Sequence, residues 1–159
     1  METIRRLFGH MRWADETILT ALDRQSPADS ENAKLFRHVL IAERVWLTRL
    51  EGNDSSGFVL WADEADLTEL KKLARNNADG YDAYVARLTE QRLDEIVTYR
   101  NMSGVPFRTS VRDILLQVAL HGQYHRGQIN RALRQQSLEP VNVDYITYER
   151  TIGSATREG

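Results

Sequence analysis

Two histidines four residues apart, His121 and His125, stand in the run SVRDILLQVALHGQYHRGQINRALRQQ at 110–136. The run has no proline and carries apolar residues at helical spacing, so the two imidazoles share one face, one turn apart. That face also shows Ile114, Gln117, Val118, Gln128 and Ala132, which turns it toward a core. Neighbouring inward imidazoles repel each other when protonated and waste hydrogen-bonding capacity when neutral. One cation held between them resolves both problems. The alternative is a pair of separately satisfied core imidazoles.

A third histidine, His38, lies inside the apolar run at 33–50, where an isolated imidazole has no obvious partner. Bundles build metal sites from side chains on facing helices. Three neutral imidazoles with open positions are the donor set of a catalytic zinc site rather than a closed structural one. Zinc or nickel suits it first, with manganese or iron as further choices. His10 falls near the polar boundary of the first helix and is expected at the surface. Asp15, Asn77, Tyr81, Gln117 and Gln128 are inward polar residues that could orient an imidazole or an incoming ligand, or serve structural hydrogen bonds. No residue is assigned a catalytic role.

Several other chemistries fail on particular residues. A zinc-peptidase HExxH motif needs glutamate where Gly122 stands. A di-iron bundle needs Glu-x-x-His on two helices, but Leu35, Val118 and Gly122 occupy the relevant places. The chain has no phosphate-binding glycine loop and no Gly-x-Ser-x-Gly elbow.

The 159 residues, 42% hydrophobic and 28% charged, suit one domain over 1–150, followed by a flexible tail at 151–159. A net charge of −2 gives no general attraction to nucleic acid or anionic lipid. No run is long and apolar enough to span a bilayer. Cysteine is absent, so any sulfur nucleophile must come from outside and no disulfide is required. With no apolar leader pattern near Met1, a cytoplasmic location is expected.

Four helices must position the histidines. The first spans 2–24, with Ile4, Phe8, Met11, Ile18 and Leu22 on one stripe. Asp15 shares that stripe and must be paired there. A loop at 25–32 leads to a second helix at 33–50. Residues 52–66 form a long connection with Phe58, Val59, Leu60 and Trp61 as a hydrophobic plug; connections of this length often cover a site. Asp66 opens a third helix running to about 91, with Glu69 completing a capping box. Strands at 96–100 and 105–108 form a hairpin that must pack on the helices. Thr109 or Ser110 caps the fourth helix, and an extended crossover containing Pro140 follows it. The result is an all-α four-helix bundle with a small β-hairpin before the last helix. The length of the second connection permits a crossover rather than a simple up-down order.

HGQYHRGQI at 121–129 resembles the HxxxHRGQ signature of DinB/YfiT-like proteins, four-helix bundles of the DinB superfamily. RWADETIL at 12–19 is similar to the family's Trp-Ala-Asn region, and RHVLIAERVW at 37–46 to its helix-two histidine segment. Pro140, Asp144 and Tyr148 fall where the family tends to have a proline, an acid and an aromatic. The resemblance implies a divalent-metal site on His38, His121 and His125, with Arg126, Gly127 and Gln128 matching the motif. It further implies a homodimer and, by analogy with some relatives, transfer of a low-molecular-weight thiol to an electrophile. A metal-dependent hydrolase or a non-catalytic bundle with a stress-related or structural role is the alternative. The chain departs from the family pattern at Asp15, where asparagine is common, and at Ser137-Leu138, where glycine is common.

Overall fold

The computed structural model of the chain describes residues 1–25 and 30–153. Four long helices form where the apolar periods place them. They are α1 (Glu2–Gln25), α2 (Glu31–Leu50), α3 (Leu67–Ala86) and α4 (Val111–Gln135). Each of the last three starts at a side-chain cap that satisfies a free helix N–H. Ser30 Oγ accepts from the Ala33 amide, Asp66 Oδ1 from Thr68, and Ser110 Oγ from Asp113. Residues 26–29 of the loop expected at 25–32, and residues 154–159 of the tail, lie outside the described residues. Helix α3 stops at Ala86, short of 91, and a 3-10 turn at Gln91–Asp94 drives Leu93 into the core.

Two core layers fix the topology. One joins Phe8 and Met11 of α1 to Leu47 and Leu50 of α2, Tyr81 and Tyr84 of α3, and Ile114 and Val118 of α4. The other joins Ile18 and Leu22 to Phe36 and Leu40, Leu70 and Ala74, and Ile129 and Leu133. The N-terminal halves of α1 and α4 therefore meet the C-terminal halves of α2 and α3. So α1 and α4 run one way, and α2 and α3 the other. Because α2 and α3 are parallel, the connection at 51–66 must travel back along the bundle, a distance of about 30 Å for helices of this length. The crossover expected from the length of that connection is present.

Strands β1 (Ile96–Arg100) and β2 (Pro106–Ser110) pair antiparallel, with Ile96 opposite Ser110 and Arg100 opposite Pro106. The hairpin is anchored on α2. Tyr99 meets Trp46 edge-on at 5.2 Å, and the Arg49 guanidinium lies over both rings. Arg49 also donates to Ser55 Oγ and to the Arg100 carbonyl, so one buried cation ties the second connection and the hairpin to the same helix.

The segment after α4 differs from the expected continuous crossover. It is extended only through Asp144, then turns into α5 (Tyr145–Tyr148) and a π turn at Glu149–Gly153. It docks across α1 and α4. His10 Nε2 and Gln123 Nε2 both donate to the Val143 carbonyl, Asn130 bonds both backbone groups of Val141, and Arg6 pairs with Glu149. His10 is therefore a buried residue, not a surface one. Its cover comes from a segment more than 130 residues away, which no local period reveals.

Candidate metal centre

Histidines 38, 121 and 125 come from α2 and α4, which lie side by side. One ring nitrogen from each falls within 4.8 Å of the others. His121 Nε2 and His125 Nε2 are 3.1 Å apart, and the His38 ring centroid lies 5.3 and 4.9 Å from those of His121 and His125. The three residues singled out in the sequence meet at one point.

The second nitrogens decide what that point can do. His125 Nδ1 is 2.7 Å from Gln128 Oε1 and His38 Nδ1 is 3.3 Å from the Leu60 carbonyl oxygen. Both oxygens accept only, so both Nδ1 atoms carry the hydrogen. In the neutral rings this leaves Nε2 of His38 and of His125 as bare lone pairs facing inward. His121 supplies a third nitrogen beside them. A single proton or a single cation can sit between these lone pairs, and the donor set fits a divalent ion. Burial pushes the His121 imidazolium pKa down to about 4, aided by the neighbouring His125 and His38. Burial also lowers His38. Both rings are therefore neutral, as metal ligation requires.

The connection at 51–66 does reach the site, but not as a hydrophobic plug. Val59 and Trp61 are 62% and 60% exposed. The segment works through its backbone: Arg37 donates to the Val59 carbonyl and His38 to that of Leu60. The Trp61 indole then lies flat on the His38 ring, with centroids 3.8 Å apart and planes within 8°. Trp61 also walls an open cleft of about 470 Å³ with Leu35, Ala62 and Ala132, and none of the three histidines lines it. Tyr124 meets His125 edge-on at 5.0 Å.

Of the residues expected to orient ligands, Gln128 alone is seen on an imidazole. Gln117 is exposed. Asn77 and Tyr81 instead join α3 to α2. Asn77 Nδ2 donates to the Leu40 carbonyl and to Glu43 Oε2, and Tyr81 donates to the Glu43 carbonyl at 2.7 Å. Asp15 finds the partner its burial demands. Arg126 Nε and Nη2 donate to Asp15 Oδ1 at 3.0 and 2.7 Å, and Nη2 also reaches Glu43 Oε1 at 3.2 Å. This cluster of one cation and two carboxyls is almost fully buried. Desolvation, then the Asp15 carboxylate, hold the Glu43 pKa well above its usual range. Desolvation likewise raises Asp15 against the pull of Arg126. Of the two carboxyls, Glu43 is pushed up further.

Glu43 escaped notice because the apolar residues of α2 nearly encircle it. The signal was nevertheless present, since Phe36, Leu40, Glu43, Leu47 and Leu50 follow one inward stripe. An acid in that register, opposite a buried Asp15, calls for a base such as Arg126.

Comparison with known proteins agrees with this architecture. The family model described as "DinB family" matches residues 1–158. Protein DinB of Bacillus subtilis (strain 168) is 22% identical over 160 residues, covering 90% of this chain and 91% of that protein. The crystal structure of a DinB-like protein from Bacillus cereus ATCC 10987 superposes with a TM-score of 0.61 at 18% identity, over 83% of this chain and 91% of that one. That likeness is one of fold. With the family model spanning nearly every residue, the chain belongs to the DinB family.

Proposed function

We propose that this protein is a divalent-metal-dependent enzyme, of the thiol-transferase or hydrolase type, working on a small molecule. The observation that supports it best is the meeting of three imidazole nitrogens, with the His125 and His38 tautomers set from behind by Gln128 and the Leu60 carbonyl. His38, His121 and His125 would hold the ion, zinc or nickel first, with manganese or iron as alternatives. Bound there, a divalent ion supplies Lewis acidity that lowers the pKa of a thiol or water ligand. The chain's own residues contribute orientation and shelter. Gln128 and Leu60 fix two rings, and Trp61 covers one face of His38. With no cysteine in the chain, a thiol or an electrophile would both be brought in as substrates.

The test is metal analysis of protein purified without a histidine tag, followed by turnover assays. Roughly stoichiometric metal in the wild type, and none in His121→Ala, is expected. Metal-loaded protein is then offered thiols with electrophiles, and esters and amides. Turnover that disappears in His121→Ala supports the reading; equal rates in the two proteins refute it.

A second reading, a non-catalytic metal-stabilised homodimer with a stress-related or structural role, draws on one specific observation. The buried carboxylates Asp15 and Glu43 are both held by Arg126, so neither is available as a general base. Under that reading chelation would lower stability by about 4 kcal/mol for metal at a thousand times its dissociation constant. Chelation that leaves the melting temperature unchanged argues against it. No described helix is long and apolar enough to cross a membrane; a cytoplasmic setting, with no nucleic-acid partner, belongs to the same proposal.

A further inference from the structure

Helices α1 and α3 run antiparallel and are zipped together on their outer side by ion pairs. Arg12 meets Asp79 and Asp82 at one end, each at 2.8 Å, and Asp23 meets Lys71 at the other, also at 2.8 Å. The register that sets Arg12 opposite Asp79 sets Glu16 opposite Arg75, four residues further along α1 and four back along α3. That middle rung is not closed. Among the described residues neither the Glu16 carboxylate nor the Arg75 guanidinium has an ion-pair partner. A cleft of about 340 Å³ opens between the two helices instead, and both side chains line it.

The cleft has a buried floor and an exposed rim. Leu19, Ala74 and Ala78 make the floor apolar, and alanine at both α3 positions is what leaves the space. Asp15 is the polar member of the floor, but its Oδ1 is already held by Arg126. On the rim, Arg12 and Lys71 are each neutralised by their own acids. The charges left for a ligand are therefore one carboxylate, Glu16, and one guanidinium, Arg75. A plain anion would be attracted by Arg75 and repelled by Glu16, and a plain cation the reverse. A molecule carrying both an ammonium and a carboxylate satisfies the two at once, through charge-assisted hydrogen bonds. The volume lies at the small end of ligand sites, which suits a body of amino-acid size.

We propose that the α1–α3 cleft is a binding site for a small zwitterion, a free α-amino acid with an apolar side chain. Arg75 takes its carboxylate, Glu16 its ammonium, and Leu19, Ala74 and Ala78 its side chain. The site is separate from the histidine cluster, which lies between α2 and α4, and stands without the metal reading.

Titration of the ¹⁵N-labelled full chain with L-alanine, L-leucine and L-phenylalanine, followed by NMR, tests it. At least one of the three is expected to shift the amide resonances of residues 15–20 and 71–78 saturably, with a dissociation constant in the millimolar range or below. For L-leucine, 4-methylpentanoate lacks the ammonium and 3-methylbutylamine lacks the carboxylate. Each should bind at least about tenfold more weakly than the amino acid, because one charge-assisted contact is lost. Glu16→Gln and Arg75→Gln change exposed side chains and should each weaken the amino acid by about the same factor, with circular dichroism confirming unchanged helix content. In Glu16→Gln the amino acid and 4-methylpentanoate should bind alike. No shift by any of the three amino acids up to roughly 20 mM overturns the proposal. So does a single-charge analogue that binds as well as L-leucine, or a pair of variants that bind as the wild type does. Metal content measured on the same samples should be the same in both variants as in the wild type, so this site and the metal centre fail independently.

Discussion

Arg126 lies across Gly122, one turn earlier on α4: a Cβ at Gly122 would stand 2.8 Å from Arg126 Nη1 and 3.0 Å from Nη2. The glycine that rules out an HExxH motif is thus the glycine that gives the guanidinium room to reach Asp15 and Glu43. Alanine at an ordinary helix position would gain about 1 kcal/mol over glycine. Here Arg126 is fully buried and pinned by Asp15 and Glu43, so it has no solvent-filled space to swing into. We expect Gly122→Ala to be destabilising by about 1–2 kcal/mol net, because displaced hydrogen bonds to buried charges cost more than the helix gains. Urea unfolding measures it; a variant as stable as wild type would show that the guanidinium can relocate.

The same cluster sets a pH dependence. Glu43 has its folded pKa raised by burial and by Asp15, so the unfolded chain releases this proton at lower pH than the folded one does. Stability from this group is fully present below the unfolded value of about 4.5 and declines as pH rises toward the folded pKa. Glu43→Gln removes that decline while keeping the shape and an amide to bond Asp15. The variant's stability should fall less than the wild type's as pH rises above about 4.5. Parallel curves in that window would mean Glu43 is ionised in the folded protein.

Histidine gives the opposite slope in metal-free protein. His10, His38 and His121 all have folded pKa values lowered chiefly by burial, His121 to about 4. Their contribution is present above the unfolded value of 6.5 and is lost as pH falls from there toward about 4. His121→Asn should flatten this acid limb. An unchanged limb would place its origin elsewhere.

Ser137 occupies the left-handed region, at φ 58°. It follows the C-cap Gln136, and the Leu138 and Ser137 amides donate to the carbonyls of Leu133 and Arg134, closing a Schellman turn. Leu138 packs in the core cluster that contains Leu133, as that motif favours. At the end of α2 the corresponding residue is Gly52, at φ 78°. Serine there carries a left-handed cost of about 1–2 kcal/mol, part of which glycine would return as unfolded-chain entropy. Ser137→Gly should therefore stabilise by about 0.5–1 kcal/mol, raising the melting temperature by roughly 1–4 °C. A lower melting temperature would show that the serine side chain contributes something the geometry does not.

How much of this was legible in the sequence depends on range. The Ser110 cap, the hairpin and the inward stripes of α1 and α4 depend on residues within a few turns of one another, and each forms close to where the residues predict it. The three histidines were legible for a different reason: each falls on the inward side of its helix, and α2 and α4 are neighbours. His10 was misjudged because its cover, Val143 with Tyr145 and Tyr148, arrives from the far end of the chain. Gln117 was misjudged because one residue at the edge of a stripe turns outward with a small rotation of the helix. Asp15 demanded a partner, but the sequence could not choose among the available bases; packing against Gly122 selects Arg126.

The chain holds two of its imidazoles by different means. His38 is oriented by a backbone carbonyl, which no side-chain substitution removes. His125 is oriented by Gln128, which can be altered. Without the amide oxygen, the His125 hydrogen is free to move to Nε2, the very atom the other imidazoles face, and the ring is free to turn. Loss of such a supporting contact typically lowers metal affinity by about 10–100-fold. Gln128→Leu should show that loss in competition with a chelating dye, while metal-free stability changes by less than about 0.5 kcal/mol because the residue is only half-buried. Gln128→Glu supplies a stronger acceptor to the same Nδ1–H and should keep the affinity at or above wild type. If Leu and Glu at this position bind metal equally well, the hydrogen bond between Gln128 and His125 is not what fixes the tautomer, and the ring must be held by its packing against His38 and Tyr124 instead.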